Sequence, residues 1–221
     1  CDETAVMACI EQATMDKVAY CARYGIEITP EQWPSAGMPS EIITDQGREF
    51  FGPRMSELCR RYGLEVLTLP PFRPDCKGAV EKTIDLLQQR YKPMLRGRGV
   101  IEDDAQERWA TDYRTQATLD LDDFARVVIH SVLYLNSGRL VDGKTPAERW
   151  TELSPRLMAV DPQELHIQTL PRDTAKLTRK GLRINRMWYA PDDADGLTIG
   201  DSYSANFAPN YYHRPHSKTV I

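Results

Sequence analysis

Two stretches decide the fold of this chain: Glu41-Ile-Ile-Thr-Asp-Gln-Gly-Arg-Glu-Phe50 and Pro70-Pro-Phe-Arg-Pro-Asp-Cys-Lys-Gly-Ala-Val-Glu81. In the first, a short strand, Glu41-Ile-Ile-Thr44, runs into a turn signal at Asp45-Gln-Gly47. In the second, Pro70, Pro71 and Pro74 force an extended connection before a helix that starts near Gly78. Between them the pattern predicts a helix over Pro53–Tyr62, closed by Gly63, and a strand over Leu64–Leu69. Such alternation of strand and helix predicts an α/β layer. Asp45 then ends a strand, the place where ligand sites of α/β sheets gather. Gly47 is expected to let the backbone turn there. An Asp closing a strand is also a common turn cap.

The helix from Gly78 to about Met94 carries Val80, Ile84, Leu87 and Tyr91 on a narrow apolar stripe. Glu81, Asp85, Gln88 and Lys92 form the neighbouring stripe, so Glu81 is expected to border the buried face. Thirty-five residues separate Asp45 from Glu81. A strand-end Asp and a helix-face Glu suit hard divalent cations, which prefer carboxylate oxygen to sulfur or imidazole. Glu81 alone reads more simply as a solvated carboxylate on an amphipathic helix.

Outward from this centre, Val6, Cys9, Ile10, Ala13, Val18 and Cys21 follow helical spacing and predict one helix over Thr4–Tyr24, stopped by Gly25. Asp2 reads as its N-terminal cap. Thr29–Pro39 and Arg96–Asp104 read as loops. An amphipathic helix is expected over Leu121–Leu135, with Asp120 or Asp122 near its cap. Ser137–Pro171 reads as linker with one short helix, Thr145–Trp150. His166–Leu170, Thr178–Asn185 and Met187–Tyr189 are short, turn-bounded, β-like runs that predict a small β-barrel. The division expected is 1–95, an α/β core; 96–165, a helical extension and linker; and 166–221, the barrel and a tail.

The composition, 41% hydrophobic and 27% charged, is that of an ordinary globular chain, and no apolar run approaches a membrane span. The N-terminus lacks the basic-then-apolar pattern of a signal peptide. Its opening at Cys1, almost inside a helix, leads to the expectation of a longer parent protein. Five cysteines without a CxxC pair fit a reduced, cytoplasmic protein. His213 and His216 form HxxH, but no second ligand pair stands near them, so zinc is a poor fit. The net charge of −4 is uneven: residues 1–165 carry 20 basic and 27 acidic groups, residues 166–221 carry 8 and 5. Arg172, Lys176, Arg179, Lys180, Arg183 and Arg186 gather in that last part, a mild pointer to phosphate. A solvated basic face reads equally well on this feature alone.

Ile43-Thr-Asp-Gln-Gly-Arg-Glu-Phe50 together with Pro70–Glu81 resembles the second half of the retroviral integrase-like core with its three acidic residues. Asp16–Cys21 with Gly25-Ile26, Trp33-Pro34, and Leu119–Phe124 running on to Asn136 narrow the resemblance to TnsB-type transposases of Tn seven-like elements. Lys180–Asn185 to Tyr189 is similar to the small barrel that follows the core in TnsB and Mu-type transposases. The resemblance implies an RNase H-like core, incomplete here because its first strands and first catalytic Asp are missing. It implies that Asp45 and Glu81 hold Mg²⁺ or Mn²⁺ for strand transfer. Arg73, Lys77 and the six basic residues of 172–186 would then meet DNA phosphates, while Glu49, Asp75 and Asp85 would be structural or solvated. The implied partners are transposon-end and target DNA, further copies of the protein on that DNA, an AAA+ target regulator and, in some systems, a separate endonuclease. The implied setting is a bacterial cytoplasm, at the nucleoid. The alternatives are a retroviral-type integrase and a non-catalytic DNA-end-binding or scaffolding protein.

Overall fold

Asp2 opens the first helix: its Oδ1 accepts the N–H of Ala5 at 2.9 Å. In the computed structural model, which describes residues 2–45, 47–70, 78–99, 113–153, 157–191 and 195–207, α1 (Glu3–Thr14) stops early and α2 (Lys17–Ala22) starts afresh. The single helix expected over 4–24 is therefore two. Asp16 is the cause. Its ψ of 129° is non-helical, and its side chain accepts the Ala19 N–H at 2.8 Å, so it begins a helix where it was expected to continue one.

β1 (Glu41–Thr44), α3 (Pro53–Tyr62) and β2 (Glu65–Thr68) form where the pattern put them, and β1 pairs with β2. Gly63 ends α3 at φ 64°, a left-handed conformation that favours glycine. α4 (Gly78–Tyr91) passes into a 3₁₀ turn over Lys92–Leu95. α5 (Leu121–Leu133) is capped by Asp120, which takes the Asp123 N–H at 2.7 Å, and runs into one π turn, Tyr134–Gly138. α6 (Pro146–Leu153) is the short helix expected after Thr145.

α7 (Pro162–Thr169) corrects the reading of His166–Leu170 as β-like. Asp161 accepts the N–H groups of Gln163 and Glu164 at 2.8 and 3.0 Å, and Pro162 fits the first helical position. Eight residues are too few to show a periodicity, so the cap carried the signal. β3 (Arg172–Thr178), β4 (Gly181–Ile184), β5 (Met187–Tyr189) and β6 (Ser202–Asn206) follow. They form an antiparallel sheet in the order β5-β4-β3-β6, which is what the described residues hold where a barrel was expected. β6 lies in the region read as tail.

The chain divides into two units, Cys1–Ala13 with Met38–Leu67 and Ala159–Ile221, and Thr14–Gly37 with Thr68–Met158. Each mixes segments that the linear division 1–95, 96–165 and 166–221 keeps apart. In the first unit, Val6, Met7 and Ile10 of α1 pack with Met55, Leu58 and Tyr62 of α3, with Leu64, and with Leu165 of α7. Its second cluster is one face of the four-stranded sheet: Ala175, Leu177, Leu182, Ile184, Tyr189, Ala205 and Phe207. Gly181, at φ 100°, is required there, because a Cβ would strike the carbonyl oxygen of Tyr189. The core of the second unit joins Cys21 and Ile26 to Ile129. Tyr91 of α4 meets Phe124 of α5 edge to face, centroids 5.8 Å apart.

Candidate catalytic carboxylates and nucleic-acid interface

Asp45 follows β1 directly and is exposed. Its Oδ1 accepts the Gly47 N–H at 3.2 Å, so the carboxylate itself makes the turn. Gly47 has φ −62° and ψ 130°, ordinary extended backbone, and the expected need for a special glycine conformation does not hold. A Cβ at Gly47 would sit 2.8 Å from the Glu49 carboxylate, which folds back close to the backbone two residues beyond Asp45. Spacing alone gave no sign of that proximity.

Glu81 stands in the first turn of α4 and is exposed. The stripe beside it was expected to be buried, but Val80 is 62% and Ile84 50% exposed. The helix has the right pattern for an apolar face. Among the described residues, its partner α5 meets it through Tyr91 and Phe124, and Val80 and Ile84 stay exposed. Asp85 binds Lys82 at 3.4 Å and Gln89 at 2.9 Å on the same helix. Asp45 belongs to the first unit and Glu81 to the second. Among the described residues no group of three or more His, Cys, Asp or Glu is gathered to hold a metal ion. Both carboxylates are hard oxygen donors, and both are exposed. Arg73, Lys77 and the proline connection at 71–77 lie outside the described residues, as do His213 and His216.

The C-terminal basic residues resolve into two groups. Arg172 is engaged: Nε donates to Asn206 Oδ1 at 2.8 Å, and the guanidinium lies 3.4 Å from Glu57. Its charge is therefore partly spent inside the unit. Lys176, Arg179, Lys180, Arg183 and Arg186 are exposed, and none forms a salt bridge among the described residues. The strand alternation explains the placement. Ala175, Leu177, Leu182 and Ile184 face the core, so Lys176 and Arg183 face out. Arg183 pairs across the strands with Trp188, and its guanidinium lies 5.9 Å from the indole centroid. Trp188 was not singled out from sequence, although Met187-Trp-Tyr189 alternates and places Trp188 on the face of Arg183.

Residues 2–97 match the family model described as the TnsB C-terminal domain. The chain as a whole is similar to one named transposition protein and spans little more than a quarter of that protein's length. It is 27% identical over 201 residues to "Transposon Tn7 transposition protein TnsB" of Escherichia coli, covering 83% of this chain and 28% of that protein. It is also 26% identical over 89 residues to "Uncharacterized protein K02A2.6" of Caenorhabditis elegans, covering 40% of this chain and 7% of that protein. Among solved structures it is similar to the catalytic core domain of BIV integrase, at 21% identity and a TM-score of 0.35, covering 52% of this chain and 60% of that one. It is similar, too, to the HTLV-2 integrase catalytic core domain in complex with magnesium, at 22% identity and a TM-score of 0.33, covering 52% and 57%. No described helix is long and apolar enough to cross a membrane.

Proposed function

We propose that this chain is part of a DNA transposase that joins transposon 3′-ends to target DNA by direct transesterification. The observation that carries the reading is the TnsB match over 2–97, which contains both carboxylates, with Asp45 at a strand end. In the proposed reaction the 3′-oxygen forms a bond to a target phosphorus, and the bond from that phosphorus to the target's own 3′-oxygen breaks. Asp45 and Glu81 would hold Mg²⁺ or Mn²⁺ within an RNase H-like core, the third carboxylate coming from elsewhere in the protein. Such ions activate the attacking hydroxyl and stabilise the leaving oxygen. The basic residues Lys176 to Arg186, with Arg73 and Lys77, would position DNA by its phosphates, which fixes register without reading sequence. The divisions at 95 and 165, assembly of several copies on DNA ends, and partnership with an AAA+ regulator and a separate endonuclease belong to the same proposal. So does a bacterial cytoplasmic setting at the nucleoid.

The test is strand transfer by the protein that carries this chain, with Mg²⁺ and labelled ends. Asp45→Asn and Glu81→Gln are each expected to abolish joining while end binding persists. Normal joining by either variant would overturn the assignment and favour a non-catalytic end-binding role.

A further inference from the structure

Beyond phosphate contact, the outer face of the four-stranded sheet carries features of a second kind of recognition. Reading across the strands in the order β5-β4-β3-β6, that face presents Trp188, Arg183, Lys176 and Ser202. Trp188 pairs with Arg183 and Lys176 with Ser202, while the flanking Leu177↔Leu182 pair is buried. The row crosses three strand spacings, about 14 Å at roughly 4.8 Å each. Trp188 is 47% exposed, although a bulky indole would contribute more to stability in the core. Arg183 lies against its ring and restrains it.

Arg186 is a second, independent observation. Asn185 and Arg186 link β4 to β5 in two residues, and both have positive φ, 48° and 66°. That is the hairpin turn in which Asn-Gly is strongly preferred. Asn185 fits it; Arg186 takes the glycine position and bears the strain of a left-handed backbone. Arg186 is exposed at this turn and carries its cation to the sheet's edge, where an anionic strand can reach it.

We propose that this face is a platform for an unpaired DNA nucleotide. Trp188 stacks on the base, Arg183 and Lys176 hold the flanking phosphates, and Arg186 holds the strand at the sheet's edge. An indole can stack only on a base whose face is open, and in a duplex each face is covered by its neighbours. Cations serve either form; the tryptophan selects the unpaired one. The inference rests on the DNA-transposase reading for its choice of DNA as the polyanion.

The test measures binding of the 221-residue chain to one fluorescein-labelled oligonucleotide, single-stranded and annealed, by anisotropy over a range of salt. Trp188→Ala is expected to weaken single-strand binding about fivefold to 150-fold and leave duplex binding nearly unchanged. Trp188→Phe is expected to restore most of the loss. Arg186→Gly is expected to weaken binding to both forms while raising the thermal midpoint, a pairing that a purely structural arginine would not give. Equal loss on both forms, or no loss on either, with Trp188→Ala folded as judged by circular dichroism, overturns the platform. If Asp45→Asn and Glu81→Gln abolish joining while Trp188→Ala binds normally, the platform fails and the transposase reading stands. If joining ignores both carboxylates and Trp188→Ala still discriminates strands, the reverse holds.

Discussion

Lys17 stands at the start of α2 and is only 5% exposed. Its ammonium donates to the Met15 carbonyl oxygen at 2.6 Å and lies 5.9 Å from the Trp33 ring centroid. Burial lowers its pKa from 10.5 to about 8, against the opposing pull of Asp16 and Cys21. Between those values the unfolded chain binds more protons than the folded one, so stability rises with pH from about 8 towards 10.5. Below about 8 the cost of the buried charge is fully present. Lys17→Met is expected to raise the thermal midpoint at pH 7 and to flatten the profile between pH 8 and 10. Tyr20 acts the other way at higher pH. Burial raises its phenol from 10 to about 12, and its contribution is lost as pH rises through that interval. Burial also raises the Cys21 and Cys59 thiols from 9.0, and their contributions are lost as pH rises above it, so the Lys17 effect is read from the difference between the parent and Lys17→Met profiles. None of this shows in the sequence, where Lys17 reads as one more polar residue on a helix. The placement of Asp45 after a strand and of Glu81 in the first turn of a helix was legible, because a strand end and a helix turn are local features.

At the scale of elements, the caps did the most to set boundaries. Asp2, Asp16, Asp120 and Asp161 each accept N–H groups at a helix start. α3 is capped from a distance. Its first residue is Pro53, and Gly52 before it has no side chain to offer. The Glu3 carboxylate of α1 supplies the acceptor, taking the N–H groups of Arg54 and Met55 at 3.0 and 3.1 Å. It also binds the Arg54 guanidinium at 3.2 Å. A Cβ at Gly52 would press on that carboxylate, which the Arg54 and Met55 N–H groups hold in place. Glu3→Ala is expected to destabilise the first unit by about 2–3 kcal/mol, since two helix N–H groups and a half-buried guanidinium lose their acceptor. Glu3→Gln should cost less, because its amide oxygen still accepts. Chemical denaturation of the two variants measures both values. The sequence marked the ends of α3 through Pro53 and Gly63, but a cap 50 residues away left no pattern to read.

The molecule as a whole is acidic, at −4, yet exposed cations gather in its C-terminal part. Five of them, Lys176, Arg179, Lys180, Arg183 and Arg186, lie on one sheet or its turns. Counterion release makes affinity fall by about 0.7 per phosphate contact on a log–log plot for single strands. Changing all five to Gln is therefore expected to remove about 3.5 from the salt slope of DNA binding. A slope that hardly moves would place the DNA contacts elsewhere in the chain. The order of strands and helices from Glu41 to Tyr91 was readable because each element is specified by its own periodicity and its own stop signals. Glycine at 63, proline at 53 and the Asp caps act within one turn of where they stand, so one chain suffices to read them. Burial could not be read the same way. The stripe Val80–Ile84 has the pattern of a core face, but whether it is covered depends on which surface arrives against it, and among the described residues both side chains are exposed. The pairing of Arg183 with Trp188 likewise depends on strand register. Local propensity settles where elements begin and end; which faces meet is settled by packing between segments far apart in the chain, and there the spacing of residues carries no information.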